Sequence, residues 1–200
     1  MDSHDHSLND RHGARQPRRF DPAKAARLDD PTRFTYLPPG EVLALLDAPY
    51  EACVVDFGTG TGTYAIAIAG ARPDLRVVAV DEQPEMLALL RAKPEAAHLK
   101  NLEAVGVEAL SALRGVADRV LALNVLHEVG NAALDDLLAL LAAGGRAVFI
   151  DWNAAVDRPV GPPAAHVYRL EEARARLERH GFTIVAAQTL RFHYALIATR

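Results

Sequence analysis

The residue types with chemical potential in this chain cluster behind short apolar runs. The run Val54-Val55-Asp56-Phe57-Gly58-Thr59-Gly60-Thr61-Gly62 places three glycines at alternate positions after a β-branched stretch. Such a turn lets the backbone bend sharply and approach a ligand closely. A helix opening behind it points free N–H groups and a positive dipole end at the same ligand. A second apolar run ends at Asp81-Glu82. A carboxylate in that place accepts hydrogen bonds from both hydroxyls of a ribose. A third run is followed by Glu108-Ala109, which could meet an adenine through the carboxylate and the neighbouring N–H. A fourth ends at Asn124, with His127 and Glu128 just beyond.

Together these positions describe a site for a nucleoside-containing cofactor. A dinucleotide fingerprint needs its third glycine three residues after the second. Here Gly62 arrives one residue early and Thr occupies position 63. Asp56 also stands two residues before the first glycine, where it would repel a pyrophosphate and attract the ammonium of a methionine moiety. Both details favour S-adenosylmethionine over NAD.

The elements that must hold these groups follow from periodicity. From Cys53 onward, strands are expected at Cys53–Phe57, 76–80, 102–107, 119–124, 146–151, 182–188 and 192–199. Helices are expected at 64–69 with Gly70 as the stop, from Pro84 to about Lys93, at 132–143 closed by Gly144-Gly145, and at 170–180. Apolar strands alternating with helices mean parallel pairing with both faces covered. The last two strands lie too close together for a crossover and should pair antiparallel. The expected fold is α/β, a doubly wound Rossmann-like sheet, mostly parallel with one antiparallel strand, its ligand beyond the carboxyl ends of the strands.

With 200 residues, half of them hydrophobic, the chain fits one domain over residues 21–200. Residues 1–20 are polar and aperiodic and read as a disordered tail, so His4, His6 and His12 lack a scaffold for a metal. A net charge of −4 gives no footprint for nucleic acid. Cys53 is the single cysteine, which excludes an internal disulfide or a thiolate metal cage. No metal is expected. The N-terminus carries no signal-peptide core and no apolar run approaches a bilayer's thickness, so a cytoplasmic location is expected.

The ordered motifs resemble those of class I S-adenosylmethionine-dependent methyltransferases. The glycine run resembles their first motif. Val78-Ala79-Val80-Asp81-Glu82-Gln83-Pro84-Glu85-Met86-Leu87 resembles the one after their second strand. Asn124-Val125-Leu126-His127-Glu128 and Gly144-Gly145-Arg146-Ala147-Val148-Phe149-Ile150 resemble the later ones. The nearest likeness is to ubiquinone/menaquinone C-methyltransferase-like enzymes that act on small molecules, a branch the leader Asp21-Pro22-Ala23-Lys24 to Pro39 also resembles. The resemblance implies a seven-stranded sheet of order 3-2-1-4-5-7-6 and S-adenosylmethionine as cofactor. It places Asp56, Gly58, Thr59, Gly60 and Gly62 around the methionine arm, Asp81 and Glu82 at the ribose, Glu108 and Ala109 at the adenine, and Asn124 on the floor. Gln83 replaces a frequent serine cap, so the cap on the following helix should be weak.

Methyl transfer from a sulfonium is an in-line displacement that needs alignment and exclusion of water. A base is needed only for a protonated nucleophile. His127 is the candidate base by position, the alternative being a structural histidine. The segment 153–168, rich in proline and glycine, is expected to be non-helical and to form a substrate wall opposite Tyr36, or else a plain surface connection. His193 and Tyr194 read as sheet residues, and Asp135 and Asp136 as partners of a helix dipole. Two rival readings are a catalytically silent cofactor-binding protein and an NAD(P)-dependent oxidoreductase.

Overall fold

A computed structural model describes residues 20–200. The tail expected over residues 1–20, with His4, His6 and His12, lies outside the described residues except for Phe20. Its helices are α1 Arg33–Tyr36, α2 Pro39–Leu46, α3 Thr63–Ala71, α4 Pro84–Arg91, α5 Pro94–Ala97, α6 Asn131–Leu140 and α7 Leu170–Arg179. The strands are β1 Cys53–Phe57, β2 Arg76–Asp81, β3 Leu102–Gly106, β4 Ala117–Leu123, β5 Leu141–Trp152, β6 Thr183–Thr189 and β7 His193–Thr199.

All seven strands form one sheet of order β3-β2-β1-β4-β5-β7-β6. The pairs from β3 to β5 are parallel, and β7 runs antiparallel to both neighbours. This is the expected topology, and its cause is visible in the burial. Every residue of β1 is buried, as a central strand covered on both faces demands. One face packs Val55, Val120 and Phe149 beneath α6 and α7. The opposite face packs Val54, Leu121 and Ile150 beneath α2 and α3.

Two differences from the expected elements have local causes. The helix expected to reach residue 143 ends at Leu140, and β5 begins at once by pairing Leu141 with Ala117. The register then shifts between Ala117 and Arg119. Gly145 lies so close to its neighbours that an added Cβ would sit 2.7 Å from the Ala117 carbonyl oxygen. The two glycines therefore serve a bulge inside the strand rather than a helix stop. The leader is also more structured than its pattern suggested. It forms a 3-10 turn over Pro22–Arg27, then α1 and α2. Segment 153–168 holds no α-helix, only a 3-10 turn at Ala164–His166.

Candidate functional site

The carboxyl ends of β1, β2 and β4 border a cavity of about 530 Å³. At β1, the loop 58–62 turns with Gly58, Gly60 and Gly62 all at positive φ. A Cβ on Gly58 would lie 2.5 Å from Val125 Cγ2, and one on Gly62 would lie 2.2 Å from Leu90 Cδ1. Both conformation and space therefore require glycine there. No side chain caps the first turn of α3, whose N-cap is Gly62. The free end of that helix faces the cavity at Thr63.

The carboxylates of this region are held by the loop itself. The Thr59 hydroxyl donates to Asp56 Oδ2 at 2.6 Å. Asp81 accepts from Gly60 N–H at 2.8 Å through Oδ2 and from Gln83 N–H at 2.9 Å through Oδ1. Burial pushes the Asp56 carboxyl up to about 6, with the Thr59 hydrogen bond pulling the other way. Burial likewise raises Asp81, against the backbone hydrogen bonds it accepts.

Asn124 has φ of 56°, a left-handed conformation that asparagine tolerates. Its N–H donates to the Ile150 carbonyl at 2.7 Å. Its Oδ1 is buried without a hydrogen-bond partner among the described residues, and the residue lines the cavity. An orphaned acceptor at a cavity wall is a place for a ligand's donor.

The structure thus brings Asp56, Gly58, Thr59, Gly60, Asp81, Glu82 and Asn124 to one cavity. Gly62 shapes the loop from behind. Glu108 and Ala109 do not line the cavity. The Glu108 carboxylate folds back over Gly106, where an added Cβ would meet Oε2 at 2.1 Å. Val107, Leu110 and Met86 line that end and offer apolar surface to a flat ring instead.

His127 also stays off the cavity lining. Its Nδ1 lies 2.8 Å from Asp151 Oδ1 and 3.0 Å from Oδ2, and its N–H donates to Oδ2 at 2.9 Å. Nε2 lies 3.5 Å from Glu128 Oε1. Burial disfavours the charged ring, but the Asp151 carboxylate and then Glu128 raise its pKa to about 10. A ring that holds both protons at neutral pH has no lone pair to accept another, which favours the structural alternative over the base role. Arg176 of α7 pins the same turn, donating to the Leu126 and Val129 carbonyls at 2.7 Å each. His127 therefore fixes the path of the chain behind Asn124.

The leader supplies residues that sequence reasoning missed. Arg33 is the one arginine or lysine at the cavity among the described residues, and its Nη1 donates to the Leu28 carbonyl at 2.6 Å. Phe20 spans the mouth: its N–H donates to Glu128 Oε2 and its carbonyl accepts from Gln83 Nε2, each at 3.2 Å. The expected weak cap is borne out, since the Gln83 side chain does not cap α4 and turns to the leader instead. Asp136, expected as a dipole partner, lines the cavity, whereas segment 153–168 does not. The only early signal for Arg33 was its place in a leader that resembled a family. No group of three or more metal-ligating side chains occurs among the described residues. No described helix is long and apolar enough to cross a membrane.

Comparison with known proteins agrees with this geometry. Residues 55–147 match a family model described as a methyltransferase domain. The release factor glutamine methyltransferase of Escherichia coli is 31% identical over 109 residues, covering 50% of this chain and 39% of that protein. The demethylmenaquinone methyltransferase of Thermus thermophilus is 36% identical over 114 residues, covering 55% and 50%. The chain thus spans no more than about half of these relatives' lengths. A solved S-adenosylmethionine-dependent methyltransferase from Aquifex aeolicus superposes with a TM-score of 0.82 at 27% identity, covering 90% of this chain and 98% of that one. Family and fold imply S-adenosylmethionine as the cofactor, and the donor set fits it: carboxylates for its cations, a guanidinium for its carboxylate, a diol acceptor and an apolar slot.

Proposed function

We propose that this chain, a member of the class I S-adenosylmethionine-dependent methyltransferases by fold and domain, methylates a small-molecule acceptor held beyond Asn124. Bound S-adenosylmethionine supplies a methyl group already activated on a sulfonium. The chain's own residues have to bind, align and keep water out. Asp56 would attract the ammonium, Arg33 the carboxylate, Asp81 with Glu82 the ribose, and Asn124 Oδ1 a donor at the floor. His127 and Arg176 act as positioning residues that hold the turn carrying Asn124.

The observation that carries this reading is the orphaned Asn124 Oδ1 in the same cavity as Asp56 and Asp81. A small acceptor is supported by the strap at Phe20, which narrows the mouth. The likeness to release factor glutamine methyltransferases favours a second reading, a protein side-chain amide as acceptor.

Calorimetric titration with S-adenosylhomocysteine, with NAD as control, tests the cofactor. Binding that Asp81→Ala abolishes or strongly weakens is expected, with none for NAD. No binding of S-adenosylhomocysteine overturns the reading. Transfer of labelled methyl into the small-molecule fraction of a cell extract supports the small acceptor, and label confined to protein supports the second reading.

A further inference from the structure

One group of side chains beside the cavity is unexplained by cofactor binding. Where β5 and β7 pair, Trp152 stands opposite His193. Their rings stack with centroids 4.1 Å apart. Tyr36 closes the group, 5.6 Å from Trp152, 6.0 Å from His193 and 5.8 Å from Phe192. His193 has no exposed surface, and neither ring nitrogen has a hydrogen-bond partner among the described residues. A buried imidazole with two unmet nitrogens is costly unless something else meets them.

Two arginines and one buried carboxylate surround the group; that carboxylate, Asp151, acts on His193 and Arg158 and is itself paired with His127. Arg158 lies 5.5 Å from the Trp152 ring with its Nε buried and unpartnered, and Arg191 lies 5.0 Å from the Phe192 ring. Neither forms an ion pair with a described carboxylate. The group adjoins the cofactor cavity on two sides. Arg33 lines the cavity one helical turn before Tyr36 in α1, and Asn124 bonds to Ile150, two residues before Trp152 on the same face of β5.

The cover over Trp152 is lightly held. Gly161 rests on the indole, where a Cβ would lie 2.9 Å from the ring. The hydrogen bonds of residues 155–162 run within segment 153–162 itself. The segment also encloses an open groove of about 480 Å³ lined only by its own residues. Residues 155–162 can lift while the Asn153 N–H stays on the Phe192 carbonyl.

We propose that Tyr36, Trp152, Phe192 and His193 form the acceptor's seat, taking a planar aromatic ring with a negative charge once residues 155–162 lift. The ring replaces the cover against Trp152. Its polar substituent meets the His193 nitrogens, and its charge faces Arg191, which is held to the body by its bond to the Thr35 carbonyl. This deepens the methyltransferase reading and rests on it for the word acceptor, while the site itself is testable alone.

Trp152 is the single tryptophan of the chain, so its emission reports on this site directly. The full chain is titrated with 4-hydroxybenzoate, with and without saturating S-adenosylhomocysteine. Tyramine serves as the cationic aromatic control and cyclohexanecarboxylate as the anionic, non-aromatic one. A saturable change with 4-hydroxybenzoate alone is expected. His193→Phe keeps a stacked ring and removes both nitrogens, and should weaken that binding at least tenfold while leaving S-adenosylhomocysteine affinity unchanged. Arg191→Met gives the same test if His193→Phe does not fold. No saturable change, equal binding of either control, or full affinity in a folded variant overturns the assignment. A seat that binds 4-hydroxybenzoate in a protein that ignores S-adenosylhomocysteine supports the site and overturns the cofactor reading.

Discussion

The carboxyl edge of the sheet has two halves built by different means. At the ends of β1 and β2, polar groups are met by the two adjoining loops: Asp56 by Thr59, and Asp81 by Gln83 and by Gly60 of the neighbouring loop. Their remaining lone pairs face an open cavity. At the ends of β4, β5 and β7, partners come from far along the chain. His127 meets Asp151, Arg176 reaches Leu126 and Val129, and His193 meets no hydrogen-bond partner among the described residues. In the function proposed above, the first half is a preformed cradle for a fixed ligand. The second is a scaffold of long-range pairings whose contents could vary without disturbing the first.

The comparison breaks most sharply at Asp151. Asp151→Ala would leave the buried His127 imidazolium with only the more distant Glu128 carboxylate and strip acceptors from the His127 and Trp152 N–H groups. Losing one partner of a buried pair costs about 3–5 kcal/mol, which denaturant unfolding would read. A loss below about 1 kcal/mol would mean that the ring is not held as a cation. The pH dependence gives an independent check. His127 has a folded pKa raised from 6.5 to about 10. Its contribution is therefore complete below 6.5 and lost as pH rises toward 10. Wild-type protein should lose stability over that window, and His127→Asn should lose less.

The cradle breaks next, and through affinity rather than stability. Asp81→Ala removes a charged acceptor, worth about 1.5–3 kcal/mol, so S-adenosylhomocysteine should bind about 10- to 100-fold more weakly by calorimetry. Asp56 adds a pH signature of opposite sense to that of His127. Its carboxyl titrates near 6 because burial disfavours the charge. An acid whose folded pKa is raised opposes stability increasingly as pH climbs from 4 to 6, yet only its ionised form attracts an ammonium. Affinity should therefore rise several-fold, up to about tenfold, between pH 5 and pH 7.5. Asp56→Asn should flatten the slope, and a slope that survives it would assign the titration elsewhere.

The same division explains what the chain's pattern made legible. The cradle was readable at Asp56, Gly58, Asp81 and Asn124 because loop chemistry there depends on residues a few positions apart. Strand type was readable because apolar runs alternate with helices, and the order that the family resemblance implied matches strand for strand. Glu108 was placed at the ligand by its position after β3, but the side chain's own rotation over Gly106 decides its contacts, and no pattern encodes that. His127 had the right position for a base, and its charge state is set by Asp151, which lies 24 residues away. The bulge at Leu141–Gly145 was hidden because Ala142 and Ala143 suit a helix locally, whereas pairing with Ala117 draws them into the sheet. Arg33 and Phe20 reach the cavity only through the folded leader.

That leader yields the smallest effect, at the seam between the two halves. Phe20 is tied on one side to Gln83, next to the cradle, and on the other to Glu128, beside His127. Farther along, the Asp29 carboxylate accepts from the hydroxyls of Thr61 and Thr63, and the Leu28 carbonyl accepts from Thr63 as well. The strap is thus anchored firmly at its middle and by two single bonds at its start. Gln83→Ala removes one of those two without touching a group assigned to the cofactor. A hydrogen bond of this kind contributes about 0.5–1.5 kcal/mol, so stability should change little and S-adenosylhomocysteine should leave about 2- to 10-fold faster in stopped-flow displacement. An unchanged dissociation rate would mean that the strap at Phe20 does not limit release, and the cradle would then act independently of the half it faces.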